Sequence, residues 1–373
     1  MRRIAFVITA SICAIAAGAE SSIPVDIIRG RVAINAYING NGPFVFLLDS
    51  ALPQPVIDSG AARTLVLAPL EGAGIEMPDA EGNLVAGHTV EAVQLRLGDV
   101  PLEPMRPAAI NLSPLTAILG ATVSGMLDVR HLGDYVTLDL PRERLVVGGE
   151  PHRDEGIPLD FTSDGAIQVT AVVDGEHPVE ATVDLAYGGW LSIPVDLAET
   201  RSLIGSEAPR LRVDAAEPDS VASVQVRLKS LRLGPAVVED PLLDLWPTGG
   251  RVRIGTAFLK QYSVSIDWTN KTLHIDVAGG SRVVVPPIEG TGLTLKVLEG
   301  RFWTVHVAEG SPAFRSGVRT GYRLKAVNGQ SMEGAEYASA MESLSVDVGE
   351  TVRVTLEGPE GRVEVQLDGK RLL

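Results

Sequence analysis

Two acids stand out by their setting. Asp49 ends the run Asn39-Gly40-Asn41-Gly42-Pro43-Phe44-Val45-Phe46-Leu47-Leu48-Asp49. Asp184 ends the run Asp174-Gly175-Glu176-His177-Pro178-Val179-Glu180-Ala181-Thr182-Val183-Asp184. In both, a Gly stands nine positions before the acid and a Pro six positions before it. Each run reads as a strand that opens on a turn and delivers a carboxylate from its far end. If two such strands meet at an interface, their acids come close enough to share one proton. Like charges that near cannot both ionise, so one acid stays neutral while its partner stays charged. The charged member can take a proton from water and the neutral member can give one to a carbonyl oxygen. The two then titrate as a unit. Asp49 and Asp184 are the candidate catalytic residues on this reading; the plainer one makes each a turn or cap acid, common at strand ends.

Other chemistries find less support. The six histidines, His88, His131, His152, His177, His274 and His306, form no metal-ligand spacing. Ser124 and Ser192 lack the glycine frame of a nucleophile elbow. No glycine-rich phosphate loop precedes a helix, so neither a metal nor another cofactor is expected.

The elements that must carry the acids are short β-branched runs broken by Gly, Pro and Asn-Gly, which is strand-and-turn grammar. Expected strands include Val32–Ile38, the Asp49 strand, Val90–Leu97, Tyr135–Leu140 and Arg144–Val147, with a short helix over Gly60–Leu67. The pattern then restarts: Ile157-Pro158-Leu159 echoes Ile23-Pro24-Val25. Farther on, Tyr135-Val136-Thr137-Leu138-Asp139-Leu140 is echoed by Tyr262-Ser263-Val264-Ser265-Ile266-Asp267 with one insertion. Two copies over so long a stretch indicate a duplicated unit, and two such units can pack about a pseudo-twofold axis. Val283–Pro287 reads as a linker. Beyond it lies a third unit with one clear helical period, over Ala335–Leu344.

The 373 residues are 45% hydrophobic and 21% charged, an ordinary globular composition. Net charge is −15 with Lys and Arg dispersed, which argues against a nucleic-acid partner. Residues 1–19 read as a cleaved secretory signal: Met1-Arg2-Arg3, the apolar run Ile4–Ala17, then Ala17-Gly18-Ala19. The single cysteine, Cys13, falls inside it, so the remaining chain has no thiol chemistry. A periplasmic or secreted location is expected, and no later segment is long and apolar enough to span a membrane.

Each duplicated unit resembles a lobe of the retropepsin-like aspartic proteases, in the bacterial form with two fused lobes followed by a PDZ domain. The likeness rests on Gly42-Pro43-Phe44-Val45-Phe46-Leu47-Leu48-Asp49 and on Ile254-Gly255-Thr256-Ala257-Phe258-Leu259. It implies a mainly β protein with a signal peptide (1–19), lobe 1 (20–150), lobe 2 (151–282) and a PDZ domain (283–373). It further implies an aspartic-type endopeptidase acting on a polypeptide, with its dyad complete in one chain and no oligomer required. The usual Asp-Thr/Ser-Gly-Ala/Ser loop is altered here: Asp49-Ser50-Ala51-Leu52 loses the Gly, and Asp184-Leu185-Ala186-Tyr187 loses Gly and hydroxyl. Asp128 stands where the family has a Gly behind the loop. These changes favour the alternative of a catalytically degenerate peptide-binding protein.

Asp58-Ser59-Gly60-Ala61 spells the family tetrapeptide, which makes Asp58 the alternative first acid. Its place eighteen positions after Gly40, twice the interval seen before Asp184, favours Asp49. In the C-terminal unit Gly290-Thr291-Gly292-Leu293 matches the PDZ carboxylate-binding loop. Tyr337 and Met341 match the helix positions that shape the peptide groove, and core packing is the simpler role for Met341. A peptide bound there would add as a strand beside Leu293–Val297.

Overall fold

The structure is a computed structural model that describes residues 20–373 apart from 79–83, 153–154, 164, 206–207, 214–222, 247–249, 278–281 and 299–300. The expected signal segment 1–19, with Cys13, lies outside the described residues. Strand accounts for 50% of the chain and helix for 12%, so the protein is mainly β, as expected.

The run ending at Asp49 forms the strand Asn41–Asp49. It lies antiparallel to Arg31–Ile38 on one side and parallel to Gly125–Asp128 on the other. Gly125–Asp128 in turn pairs antiparallel with Val56–Asp58. Phe46, Leu47 and Leu48 are all buried. A strand flanked in its sheet and covered on both faces reads as a continuous apolar run instead of an alternating one, which is the pattern here.

The second half repeats this order. His177–Val183 lies antiparallel to Ile167–Val173 and parallel to Arg253–Ile254, which pairs antiparallel with Leu191–Pro194. The next neighbours also correspond: Val56–Asp58 runs parallel to Ala108–Ile110, and Leu191–Pro194 runs parallel to Leu242–Trp246. The turns before the two acid-bearing strands match as well. Asn39-Gly40 and Asp174-Gly175 all have positive φ, at 50°, 81°, 51° and 78°. That is the two-residue hairpin geometry for which Asn-Gly and Asp-Gly are suited.

Tyr135–Asp139 and Ser263–Asp267 join the halves as an antiparallel pair, with Tyr135 opposite Asp267 and Asp139 opposite Ser263. This register is self-complementary, as at a twofold axis. At its centre the hydroxyls of Thr137 and Ser265 stand 2.8 Å apart. One hydrophobic core runs through both halves, from Ile23 to Val285.

A six-stranded sheet makes up most of the C-terminal unit, in the order Leu293–Leu298, Arg301–Val307, Tyr322–Val327, Thr351–Gly358, Gly361–Asp368, with Gln330–Ser331 on the side. Leu293–Leu298 is one of its two edge strands, Gly361–Asp368 the other. This unit has its own core, centred on Leu324, Val354, Leu356 and Leu367.

Several boundaries differ from the sequence reading. The first helix spans Ser59–Thr64, because Val66 takes φ of 56° and closes it. The last helix starts at Tyr337 instead of Ala335, because Glu336 is extended. Val90–Leu97 divides between the strands Leu84–Val90 and Leu95–Leu97. The expected linker contributes a strand, Val283–Val284, parallel to Ala236–Glu239.

Candidate active site

Asp49 sits at the end of its strand with its side chain turned back on the following loop. Its Oδ1 accepts hydrogen bonds from the backbone N–H of Ser50 at 2.6 Å and Ala51 at 2.9 Å. Asp184 does the same one position later, accepting from Ala186 N at 2.9 Å and Tyr187 N at 3.0 Å. Carboxylates at strand ends commonly fold onto the next amides in this way. What joins the two loops is Ser50. Its buried hydroxyl donates to Val183 O at 2.6 Å and accepts from Leu185 N at 3.2 Å. The residues on either side of Asp184 are thus tied to the residue after Asp49. One hydroxyl makes both bonds across the seam, where Leu185 has none to offer.

Asp49 is buried, and burial raises its carboxyl to about 7, helped by the negative charge of Asp184 and opposed by the two backbone N–H bonds. At neutral pH it is therefore poised between acid and anion.

Asp184 has a partner that the sequence reading missed. Arg253 Nη1 lies 3.5 Å from Asp184 Oδ2, with side chains 18% and 15% exposed, so this ion pair is largely shielded from solvent. The guanidinium is held on several sides. Its Nε donates to Ser192 Oγ at 3.1 Å, and its carbon lies 4.7 Å from the Tyr187 ring centre and 4.6 Å from that of Trp246. Tyr187 is fixed in turn: its hydroxyl donates to Leu191 O at 3.2 Å and to Asp244, whose other oxygen accepts from Gln225 Nε2 at 2.7 Å. Burial raises both the Tyr187 hydroxyl and the Asp244 carboxyl above their ordinary values. The one available signal in the sequence was position: Arg253 directly precedes the apolar-Gly pair Ile254-Gly255.

Behind the loops the two halves differ. Gly255 lies so close to the second loop that a Cβ there would stand 2.4 Å from the carbonyl oxygens of both Tyr187 and Gly189. Its counterpart Asp128, opposite Asp49 in the ladder, is fully buried and paired with Arg130 at 2.9 Å. Asp128 Oδ2 also accepts from Leu52 N at 3.0 Å, and Arg130 Nη2 donates to Leu52 O at 2.9 Å. The acid and its arginine clamp the loop that the glycine would have let close.

Asp58 is placed elsewhere. Its carboxylate caps the helix Ser59–Thr64 through Gly60 N at 2.7 Å and Ala61 N at 3.1 Å, and Oδ1 accepts from Leu112 N at 3.0 Å.

In the C-terminal unit, Gly290 and Gly292 have positive φ of 134° and 82°, Thr291 and Leu293 are buried, and Leu293 opens the edge strand. Met341 packs against that unit's core. Tyr337 begins the helix Tyr337–Leu344, and its side chain lies outside the described residues. Among the described residues no group of three or more His, Cys, Asp or Glu is placed to hold a metal ion, and no helix is long and apolar enough to cross a membrane.

No protein-family model and no curated protein matches the chain. Among solved structures, basic 7S globulin from soybean is similar over 71% of this chain and 95% of its own, at 12% identity and a TM-score of 0.46. A photosystem II D1 C-terminal processing protease is similar over 24% of this chain and 25% of its own, at 21% identity and a TM-score of 0.23.

Proposed function

We propose that residues 20–150 and 151–282 are retropepsin-like lobes whose seam carries an aspartic-type endopeptidase site, and that 283–373 is a PDZ domain that recruits the polypeptide. The observation that carries this is the Ser50 bridge to Val183 and Leu185, which brings Asp49 and Asp184 to one seam. Asp184, ion-paired with Arg253, acts as the base: it takes a proton from water as the oxygen attacks the peptide carbonyl. Asp49, protonated below about 7, gives its proton to the carbonyl oxygen. As the C–N bond of the tetrahedral intermediate breaks, Asp184 passes the proton it took from water to the leaving amine, and a hydroxyl of the intermediate gives its proton back to Asp49, which restores the pair. The recruited segment adds beside the edge strand Leu293–Leu298 in place of Arg29, which now donates to Leu295 O, and its terminal carboxylate is held by the amides of Gly290–Leu293.

A second reading, a peptide-binding protein without turnover, draws on two observations. Arg253 occupies one oxygen of Asp184, and Ala51 and Ala186 put methyl groups where the family has glycine. Incubation of the full chain with an unstructured polypeptide between about pH 5 and 7, read by mass spectrometry, separates the two. Cleavage that disappears in both Asp49→Asn and Asp184→Asn supports the enzyme. Turnover that survives Asp184→Asn removes this pair from the chemistry, and saturable binding without products favours the binder.

A further inference from the structure

We propose that the peptide groove of the C-terminal unit is latched shut by the first half of the chain, with Arg29 as the latch. A polypeptide then adds beside Leu293–Leu298 only when the unit swings away from that half. This regulation rests on reading residues 283–373 as a peptide-recruiting unit.

Leu293–Leu298 pairs with Arg301–Val307 within its own unit, and the helix Tyr337–Leu344 lies beside it. A peptide that adds as a strand bonds to the backbone groups this edge strand has left over. The first half reaches the same strand in two ways. The helix Ser113–Leu119 packs against it, and Arg29 Nη2 donates to Leu295 O at 3.4 Å. The loop before the strand is closed as well. Leu293 N donates to Thr291 Oγ1 at 3.4 Å, and Thr291 is only 3% exposed, so this amide serves its own loop instead of a ligand carboxylate.

Arg29 is presented from a turn that cannot follow the C-terminal unit. The turn is wedged against the second half: Thr256 Oγ1 donates to Gly30 O, and a Cβ on Gly30 would lie 3.0 Å from Gly188 Cα. The unit itself is fastened to the second half at another place. Leu211 packs there with Ala308 and Leu373, and Glu309 N donates to Arg212 O at 2.8 Å. Arg227 Nη2 reaches Pro286 O at 3.0 Å and Leu373 O at 3.3 Å. The Arg29 bond is long, and a hydrogen bond of this kind changes a population by roughly tenfold or less. The contacts to the second half include buried apolar surface, which must meet water before it parts. Opening therefore starts at Arg29, with the second half as the pivot. A peptide that adds as a strand supplies several backbone hydrogen bonds in place of the one it displaces. Its apparent affinity is lowered by the fraction of molecules that stay closed.

Random short peptides with a free C-terminus, displayed and selected on the full chain carrying Arg29→Gly, provide the probe: the best of them, labelled with fluorescein. Arg29 has φ of 48°, which Gly adopts without strain, so the turn and its wedge survive the substitution. Leu211→Asp, at the far attachment, frees the unit without touching Arg29. Fluorescence anisotropy should show the probe binding each variant about three- to tenfold more tightly than the wild type. Without peptide, amide hydrogen exchange across Leu293–Leu298 should run at least about twofold faster in each variant. Faster exchange in both variants with no peptide selected supports the latch and removes the peptide-recruiting reading. A probe that binds the wild type as tightly as both variants leaves recruitment standing and overturns the latch. Exchange unchanged in both variants overturns it as well.

Discussion

Replacing Asp49 with Asn should make the protein more stable at neutral pH and above. In the folded chain the Asp49 carboxyl rises from 3.8 to about 7, burial being the main cause and Asp184 the next. An acid with a raised folded value holds a proton that the unfolded chain has already released. Stability is therefore fully present below the ordinary carboxylate range, declines as pH rises, and stops declining above about 7. A shift of roughly three units, at 1.36 kcal/mol each, corresponds to a loss on the order of 4 kcal/mol. Asn does not titrate, and its oxygen can still accept from Ser50 N and Ala51 N, the bonds that hold Asp49 in place. Urea unfolding of both proteins, followed by tryptophan fluorescence between about pH 4 and 8, should give curves that agree at the acid end. They should diverge toward neutrality in favour of Asp49→Asn. A gain in stability on losing the proposed catalytic group would be the usual trade between stability and function. Parallel curves would refute the reasoning, because they would mean that Asp49 has no raised proton affinity to lose.

Three further outcomes follow from individual contacts. Asp184→Asn removes the charge that helps hold the Asp49 carboxyl up, so carbon-13 NMR of Asp49 should show its titration moving down in pH; an unmoved titration would separate the two acids. Arg130→Met strands the fully buried Asp128 and unfastens Leu52, which should cost about 3–5 kcal/mol in urea unfolding; a loss below about 1 kcal/mol would show that the clamp is dispensable. Val66 is exposed and sits at the left-handed position that closes the first helix, with Val66 N bonded to Arg63 O and Leu67 N to Ala62 O. This is a Schellman ending that glycine suits far better, so Val66→Gly should gain about 1 kcal/mol, and a loss would contradict the strain.

Much of the framework was legible because it is written in short-range patterns. The expected strands Tyr135–Leu140 and Arg144–Val147 form as Tyr135–Asp139 and Arg144–Val147, and Asn39-Gly40 makes the turn its residues call for. The helices Ser113–Leu119 and Val195–Thr200 were not foreseen, since six or seven residues are too few to show a helical period above noise. Asp58 shows the limit of matching letters. Its tetrapeptide fits the family, yet the fold puts it at the start of a helix, where three backbone N–H groups take up its carboxylate. Val283–Val284 read as a linker because nothing local signals that a parallel partner, Ala236–Glu239, waits beside it.

The sequence by itself determined that two acids would stand at the ends of matched strands. Strand, turn and spacing are properties of neighbouring residues, and the duplication repeats them. Only the tertiary structure decided what each acid would face. Asp184 meets Arg253, and Asp49 meets buried surface. Electrostatic energy depends on distance through space and on exposure to water, and neither is set until distant segments are brought into register.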